Sequence, residues 1–209
     1  MKFKLIAFIL MILGSLRSHA HPVAFEGAVA VLGDSSPEIL SQQVLYSYKY
    51  WGALGVHSLR ISENAKPTDF LIVKNNFLLK RWHQPDSQGN VYLGFGYGQE
   101  KKADHQRPVA EVDVQADWES RRFYTMALFQ KMYRDKEHSL FEYQMQRVGV
   151  APYYGDFEDL SIWLIAERTQ VLYQTETWAT LLRFYFKNVL WEIGATNQGG
   201  GIFNYMVHF

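Results

Sequence analysis

The chain has 209 residues, with 21 Lys and Arg balanced by 21 Asp and Glu, seven His and no Cys. Zero formal charge without a basic run argues against nucleic acid as a partner, and the lack of Cys excludes disulfides and the lipid-bearing cysteine of a lipoprotein. Aromatic side chains make up 16% of the residues, a level that suits a protein with aromatic girdles at a membrane surface.

The first twenty residues read as a secretory signal peptide. Lys2 and Lys4 form a basic start, 5–13 is an unbroken apolar run, and Ser18 and Ala20 supply the small residues that signal peptidase requires. The run is too short to cross ~30 Å of hydrocarbon at ~1.5 Å per residue, so a transmembrane helix is the poorer reading. Cleavage is expected before His21. The mature chain, 21–209, is expected to be one domain carrying a net charge of about −3, because the signal takes Lys2, Lys4 and Arg17 with it and no acid.

After residue 20 the hydrophobic period is two nearly throughout. Val91, Leu93, Phe95 and Tyr97 alternate with Tyr92, Gly94, Gly96 and Gly98. Val112, Val114, Ala116 and Trp118 alternate with Glu111, Asp113, Gln115 and Asp117. Leu182, Phe184 and Phe186 flank Arg183 and Tyr185, and Trp191 and Ile193 flank Glu192. Turn-forming clusters at 33–37, 63–67, 84–90, 119–121, 135–138 and 187–188 separate the runs. The predicted strands are 23–32, 41–50, 53–62, 68–81, 90–98, 107–118, 122–134, 139–152, 158–170, 175–187, 189–197 and 200–209. They number twelve, or ten if neighbours merge. Several are joined by two or three residues, which makes them antiparallel neighbours. Between 140 and 150 the apolar residues change phase, from Phe141, Tyr143 and Met145 to Val148 and Val150, and a β-bulge is predicted there.

One face of these strands is charged. Lys74, Lys80, Glu111, Asp113, Lys131, Glu142, Arg183 and Glu192 fall on it, with small residues such as Gly94, Gly96, Ala127, Ala179 and Gly194. Glycine weakens a solvent-exposed strand but makes room inside a crowded barrel, so this face is assigned to a polar lumen. The opposite face, with Leu128, Phe184 and Ile193, is assigned to lipid. The chain's last residues alternate too: Phe203, Tyr205, Val207 and Phe209 against Asn204, Met206 and His208. This resembles the C-terminal signal that the barrel assembly machinery reads on outer-membrane barrels. It departs in having Asn204 where those proteins prefer Gly.

Four strings strengthen the resemblance: His-Pro-Val-Ala-Phe-Glu-Gly at 21–27, Leu-Leu-Lys-Arg-Trp at 78–82, Asp-Trp-Glu-Ser-Arg-Arg at 117–122 and Arg-Val-Gly-Val-Ala-Pro-Tyr at 147–153. Together they are similar to a poorly characterised family of small outer-membrane barrels of Gram-negative bacteria, loosely associated with heavy-metal and copper handling. The resemblance implies location and fold, and brings no catalytic motif.

Chemical motifs are sparse. A freed His21 offers an α-amine and an imidazole for copper, with Pro22 barring the next amide, but His57, His83, His105, His138 and His208 show no ligand spacing. His138-Ser139 would place nucleophile and base on opposite faces of a strand. Asp156, Glu158 and Asp159 read as a solvated turn, and Gly94, Gly96 and Gly98 lie within a strand and open no helix. No catalytic residue and no required cofactor are expected.

The sequence therefore predicts an all-β, closed, antiparallel, up-and-down transmembrane barrel in the Gram-negative outer membrane. Its partners would be membrane lipid, the secretion machinery and signal peptidase, and the barrel assembly machinery. It would be a narrow passive channel or a plugged structural barrel. The alternatives are a copper-linked outer-membrane protein using His21, a lipid-modifying enzyme, and a soluble periplasmic ligand-binding barrel.

Overall fold

The structure, a computed structural model, describes residues 21–63, 66–102, 105–134, 139–154, 159–171 and 176–209. The predicted signal peptide, His138, Asp156 and Glu158 lie outside the described residues. Twelve strands follow one another: β1 (Val29–Ser35), β2 (Ile39–Lys49), β3 (Gly52–Glu63), β4 (Lys66–Gln84), β5 (Ser87–Lys101), β6 (Gln106–Ser120), β7 (Phe123–Tyr133), β8 (Ser139–Val150), β9 (Ser161–Val171), β10 (Thr177–Phe186), β11 (Val189–Thr196) and β12 (Gly201–His208). Each pairs antiparallel with its sequence neighbours, and β12 pairs with β1, from Ala30 opposite His208 to Ser35 opposite Phe203, so the sheet closes. With an even strand count, β1 begins and β12 ends at one mouth of the barrel, here the terminal end; the other mouth is the loop end.

The alternating pattern has its physical cause in this closure. Successive side chains point to opposite faces of a strand, so residues directly paired across the ladder share a face. Arg183 pairs with Glu192 and Trp163, and Glu192 with Asn204, all inward; Phe184 pairs with Trp191 and Leu182 with Ile193, outward. The outer surface carries a continuous apolar band, with Val44, Leu54, Val56, Leu71, Val73, Phe95, Val114, Val148, Leu164, Leu182 and Ile193 all exposed. Val73 is 59% exposed in the middle of the longest strand, a poor arrangement in water. Aromatic residues fringe the band: Tyr46, Trp51, Trp82, Trp118, Phe186 and Trp191 toward the terminal end, Tyr97, Trp178 and Phe203 toward the loop end.

Close packing at two glycines shows how the closure is made. On β1, a Cβ at Gly33 would lie 2.2 Å from the ring of Tyr205, so the aromatic of β12 covers bare backbone on the first strand. On β5, a Cβ at Gly94 would lie 2.3 Å from Asp113 Oδ2, so the missing side chain makes room for an interior carboxylate, as the sequence predicts.

The structure corrects three details. The first strand begins at Val29, not 23. Gly27 adopts φ 89°, a left-handed conformation that breaks the extended run, and the preceding residues turn into the barrel. The bulge predicted in 140–150 sits at the start of that range: Met132 pairs with Phe141 and Tyr133 with Ser139, so Leu140 is the extra residue, and from Phe141 to Val150 the pairing runs without a break with Phe141, Tyr143 and Met145 inward. Two further register shifts lie between Ser47 and Lys49 and between Leu78 and Lys80. Finally, Leu128 faces the lumen, not lipid. It pairs with inward Gln115 and Met145, leaving Thr125, Ala127 and Phe129 outside.

Two outcomes are expected from this geometry. Leu182→Arg, on the outer face midway along β10, should destabilise the barrel in lipid vesicles by roughly 2–4 kcal/mol in a denaturant titration; unchanged stability would reverse the assignment of faces. Deleting Phe209, whose backbone bonds Val29 in both directions, should slow assembly and leave protease-sensitive chain in the periplasm. Assembly at the normal rate would remove the terminal aromatic from the recognition step.

Candidate functional site

The site is the lumen, and it is built in layers from inward-facing positions. Near the loop end an apolar layer holds Leu59, Phe70, Ile72, Val109, Met132 and Phe141, with Glu100 beside it clasped by Arg134 at 2.9 Å. The middle layer is charged. Lys74 Nζ lies 2.7 Å from Glu111 Oε1 and 2.6 Å from Asp113 Oδ2. Glu111 also faces His57 Nδ1 at 2.9 Å and accepts from Gln130 Nε2 at 3.1 Å, while Ser41 Oγ sits 3.1 Å from the other His57 nitrogen.

A second ion-pair group stands across the barrel. Arg147 reaches Glu167 at 2.6 Å and Glu192 at 3.2 Å. Arg183 Nε donates to the same Glu192 at 2.7 Å, and Asn204 Nδ2 donates to its second oxygen at 2.8 Å. The Arg183 guanidinium lies over the Tyr124 ring, 4.1 Å from its centroid. These groups are buried, Glu192 to 1% exposure. A charge taken out of water is tolerated only with partners and further hydrogen bonds, and each of these has both.

At the terminal end, residues 21–27 fold into the mouth. Val23 packs with Ala30, Leu45, Ala53 and Tyr92. The Ala24 amide donates to Ser47 Oγ at 3.0 Å, and the Gly27 amide to the Ser47 carbonyl at 2.7 Å. His208 Nε2 donates to the His21 carbonyl at 3.1 Å. The His21 ring is buried against Tyr92, with Gln88 Nε2 3.2 Å from its Nε2 and Asp117 Oδ2 3.6 Å from its Nδ1.

Two cavities lie along the axis. A cavity of about 330 Å³ opens toward the loop end, lined by Ser35, Ile39, His57, Phe141, Tyr143 and Thr169 among others. A second, of about 150 Å³, lies nearer the terminal end and is lined by His21, Lys74, Asn76, Tyr92, Trp163 and Arg183 among others. Asp34, Gln43, Gln130, Arg147 and Asn204 line both, together with Leu128 and Met145, so one mainly polar layer separates two spaces in line. Asn76 Nδ2 faces the second cavity, buried and without a protein acceptor, as suits a wet interior.

Of the eight charged residues that the sequence assigns to the lumen, Lys74, Glu111, Asp113, Arg183 and Glu192 are there, drawn into two ion-pair groups. Lys80, Lys131 and Glu142 are not. The register shift after Leu78 puts Lys80 opposite outward Val91, beside the Trp82 ring. Lys131 pairs with outward Val112 and forms a 3.3 Å ion pair with Glu142 on the outer face, near the loop end of β7 and β8. The sequence missed Asp34, Arg147 and Glu167. Arg147 follows Phe141, Tyr143 and Met145 on an inward face that reads more apolar than the outward Glu142, Gln144 and Gln146, and Glu167 stands in a strand with apolar residues on both faces, so no clean charged stripe marked them. Phe203, Tyr205, Val207 and Phe209 fall on the alternation of β12 that faces out, with Phe203 and Phe209 plainly exposed.

Asp117 is the carboxylate brought close to the His21 ring, and among the described residues no group of three His, Asp or Glu side chains is placed to hold a metal ion.

No family model matches the sequence, and no curated protein matches it. Among solved structures, the chain is similar to a KdgM porin, at 10% identity and a TM-score of 0.42, over 87% of this chain and 98% of the porin. The same porin in complex with disordered oligogalacturonate gives 10% identity and 0.43 over the same shares. A loop-deletion mutant of OmpT, an outer membrane protein of Vibrio cholerae, gives 9% identity and 0.28 over 88% of this chain and 97% of that one. At such values the architecture rests on this chain's own strand pairing.

Removing one buried partner tests the charged layer. Arg147→Met leaves Glu167 and part of Glu192 without a counter-charge and should cost about 3–5 kcal/mol in denaturant unfolding. Adding Glu167→Gln should recover part of the loss. A single substitution costing under about 1 kcal/mol, as for an exposed pair, would mean that this layer is fully solvated.

Proposed function

We propose that the chain is an integral outer-membrane protein acting as a narrow passive channel. The observation that carries this is the inversion of the barrel. Its exterior is an apolar band between aromatic fringes, and its interior holds Lys74, Glu111, Asp113, Arg147, Glu167, Arg183 and Glu192. A soluble ligand-binding barrel places these the other way round. Closure satisfies the strand backbone without water, the condition for crossing hydrocarbon. The two cavities in line supply a polar route, constricted by the charged layer and by residues 21–27 at the terminal end.

Export belongs to the same reading. Cleavage before His21 would free the segment that occupies the terminal mouth. The outward-facing aromatics of β12 suit recognition by the barrel assembly machinery, with lipid as the other partner. A pore of this kind needs no catalytic group, and the lumen is read as non-enzymatic.

Reconstitution into planar bilayers tests the function. The protein should give small, passive, ohmic currents, and deletion of residues 21–26 should enlarge them. Single Cys residues, free of background in this chain, give the faces. Labels at 182, 184 and 193 should react with a lipid-soluble maleimide and at 43 and 128 with a water-soluble one. Silence of both the intact and the shortened chain would leave a structural barrel. Reversed labelling would return the protein to the periplasm.

A further inference from the structure

The lining of the two cavities is unevenly charged. It holds seven carboxylates against three Lys and Arg side chains. Those three bases are already committed. Lys74 is shared between Glu111 and Asp113, Arg147 between Glu167 and Glu192, and Arg183 is held by Glu192. The bases are therefore largely spent on their own neighbours, and only the field of Arg147 reaches on to Asp34.

Asp34 is the carboxylate this leaves exposed in the middle of the route, with Glu38 at the loop-end rim. It stands on β1 directly opposite Ser41 and Asn204, neither of which is charged. It lines both cavities, in the layer that separates them, and no hydrogen bond or ion pair holds it among the described residues. Asn76 Nδ2, buried to 2% exposure with no protein acceptor, marks the second cavity as a place where water or a hydrated solute is in contact with the wall. A lumen with low-dielectric walls focuses the field of such charges on whatever passes.

We infer that the lumen selects small cations over anions, and that Asp34 is the residue that sets the preference. This rests on the channel reading, and on the lining charges beyond it. An anion entering from the loop end meets Asp34 before any base with spare charge. A hydrated monovalent or organic cation meets a carboxylate that no hydrogen bond or ion pair among the described residues holds and that Arg147, clasped by Glu167 and Glu192, reaches only through its field.

The test separates the preference from the current. Gln43→Cys places one thiol on the lining of both cavities. Its rates with trimethylammonioethyl and sulfonatoethyl methanethiosulfonate are measured in detergent, each divided by the rate with a free thiol. The cationic reagent should be favoured by roughly tenfold. Asp34→Asn should lower that ratio by about threefold or more, and Asp34→Ser repeats the measurement if the first variant does not fold. In bilayers under a KCl gradient, the reversal potential should indicate potassium over chloride and should move toward zero in the same variants. Equal labelling rates, or a ratio indifferent to both substitutions, would overturn the inference. Charge-selective labelling that follows Asp34 without any membrane current would keep the cation-preferring interior and remove the channel.

Discussion

A sheet that enters hydrocarbon must pair every strand edge, because an unpaired N–H or C=O finds no water there. In this chain that obligation falls on β1 and β12, which begin and end the barrel and pair along six residue positions. The pairing is short, and the side chains around it are fitted to strengthen it. Tyr205 lies over the bare backbone of Gly33. The Phe209 backbone exchanges hydrogen bonds with Val29, and Asn188 Nδ2 donates to the His208 carbonyl from the β10–β11 turn. The rest of the ladder arises from short hairpins. The seam is the one place where residues far apart in sequence must find each other, which gives the alternation of β12 a structural purpose.

Closing twelve strands leaves an interior wide enough for side chains to meet across it, and their chemistry is set by what they meet. Inward positions at the two ends are filled with apolar groups such as Ile72, Met132 and Phe141, or Leu45 and Tyr92. Between them the charged layer ties distant strands together: Lys74 of β4 to Glu111 and Asp113 of β6, Arg147 of β8 to Glu167 of β9 and Glu192 of β11. Such pairs give little net stability over a packed apolar core, since desolvation takes back most of the attraction. A structural barrel with no traffic would gain by replacing them. Their retention makes sense where the middle of the lumen must stay polar.

Twelve strands and their order were legible because period two is imposed everywhere by an interior and an exterior of opposite polarity. The faces were legible only where that opposition is strict, as in β6, with Glu111, Asp113 and Asp117 inside and Val112, Val114 and Trp118 outside. In β7 both sides are apolar: Tyr124, Met126 and Leu128 point in, and Phe123 and Phe129 point out. Alternation then says that a strand exists but not which way it faces. The phase of β8 failed because polarity is reversed along its first half, with Phe141, Tyr143 and Met145 inside and Glu142, Gln144 and Gln146 outside. Lys80 failed differently. A single extra residue after Leu78 turns every later side chain of β4 around, and nothing in the local composition marks it. Asp34 was hidden in a cluster of turn-forming residues, although it belongs to the end of β1.

The terminal segment obeys the same constraints. Residues 23–28 read as the start of a strand because Val23, Phe25 and Gly27 fall on alternate positions, yet the chain there folds into the mouth. Turning at Gly27 instead buries Val23 in an apolar pocket and brings His21 beside Asp117, His208 and Gln88. The same turn that limits the seam thus narrows the terminal mouth. The contacts holding it are one apolar side chain, a few backbone bonds to Ser47 and a cluster of polar groups around His21. An ion pair of Glu26 with Lys49 at 2.8 Å adds to them. The terminal constriction is thus a segment laid against the inside of the wall, while the charged layer is part of the wall itself.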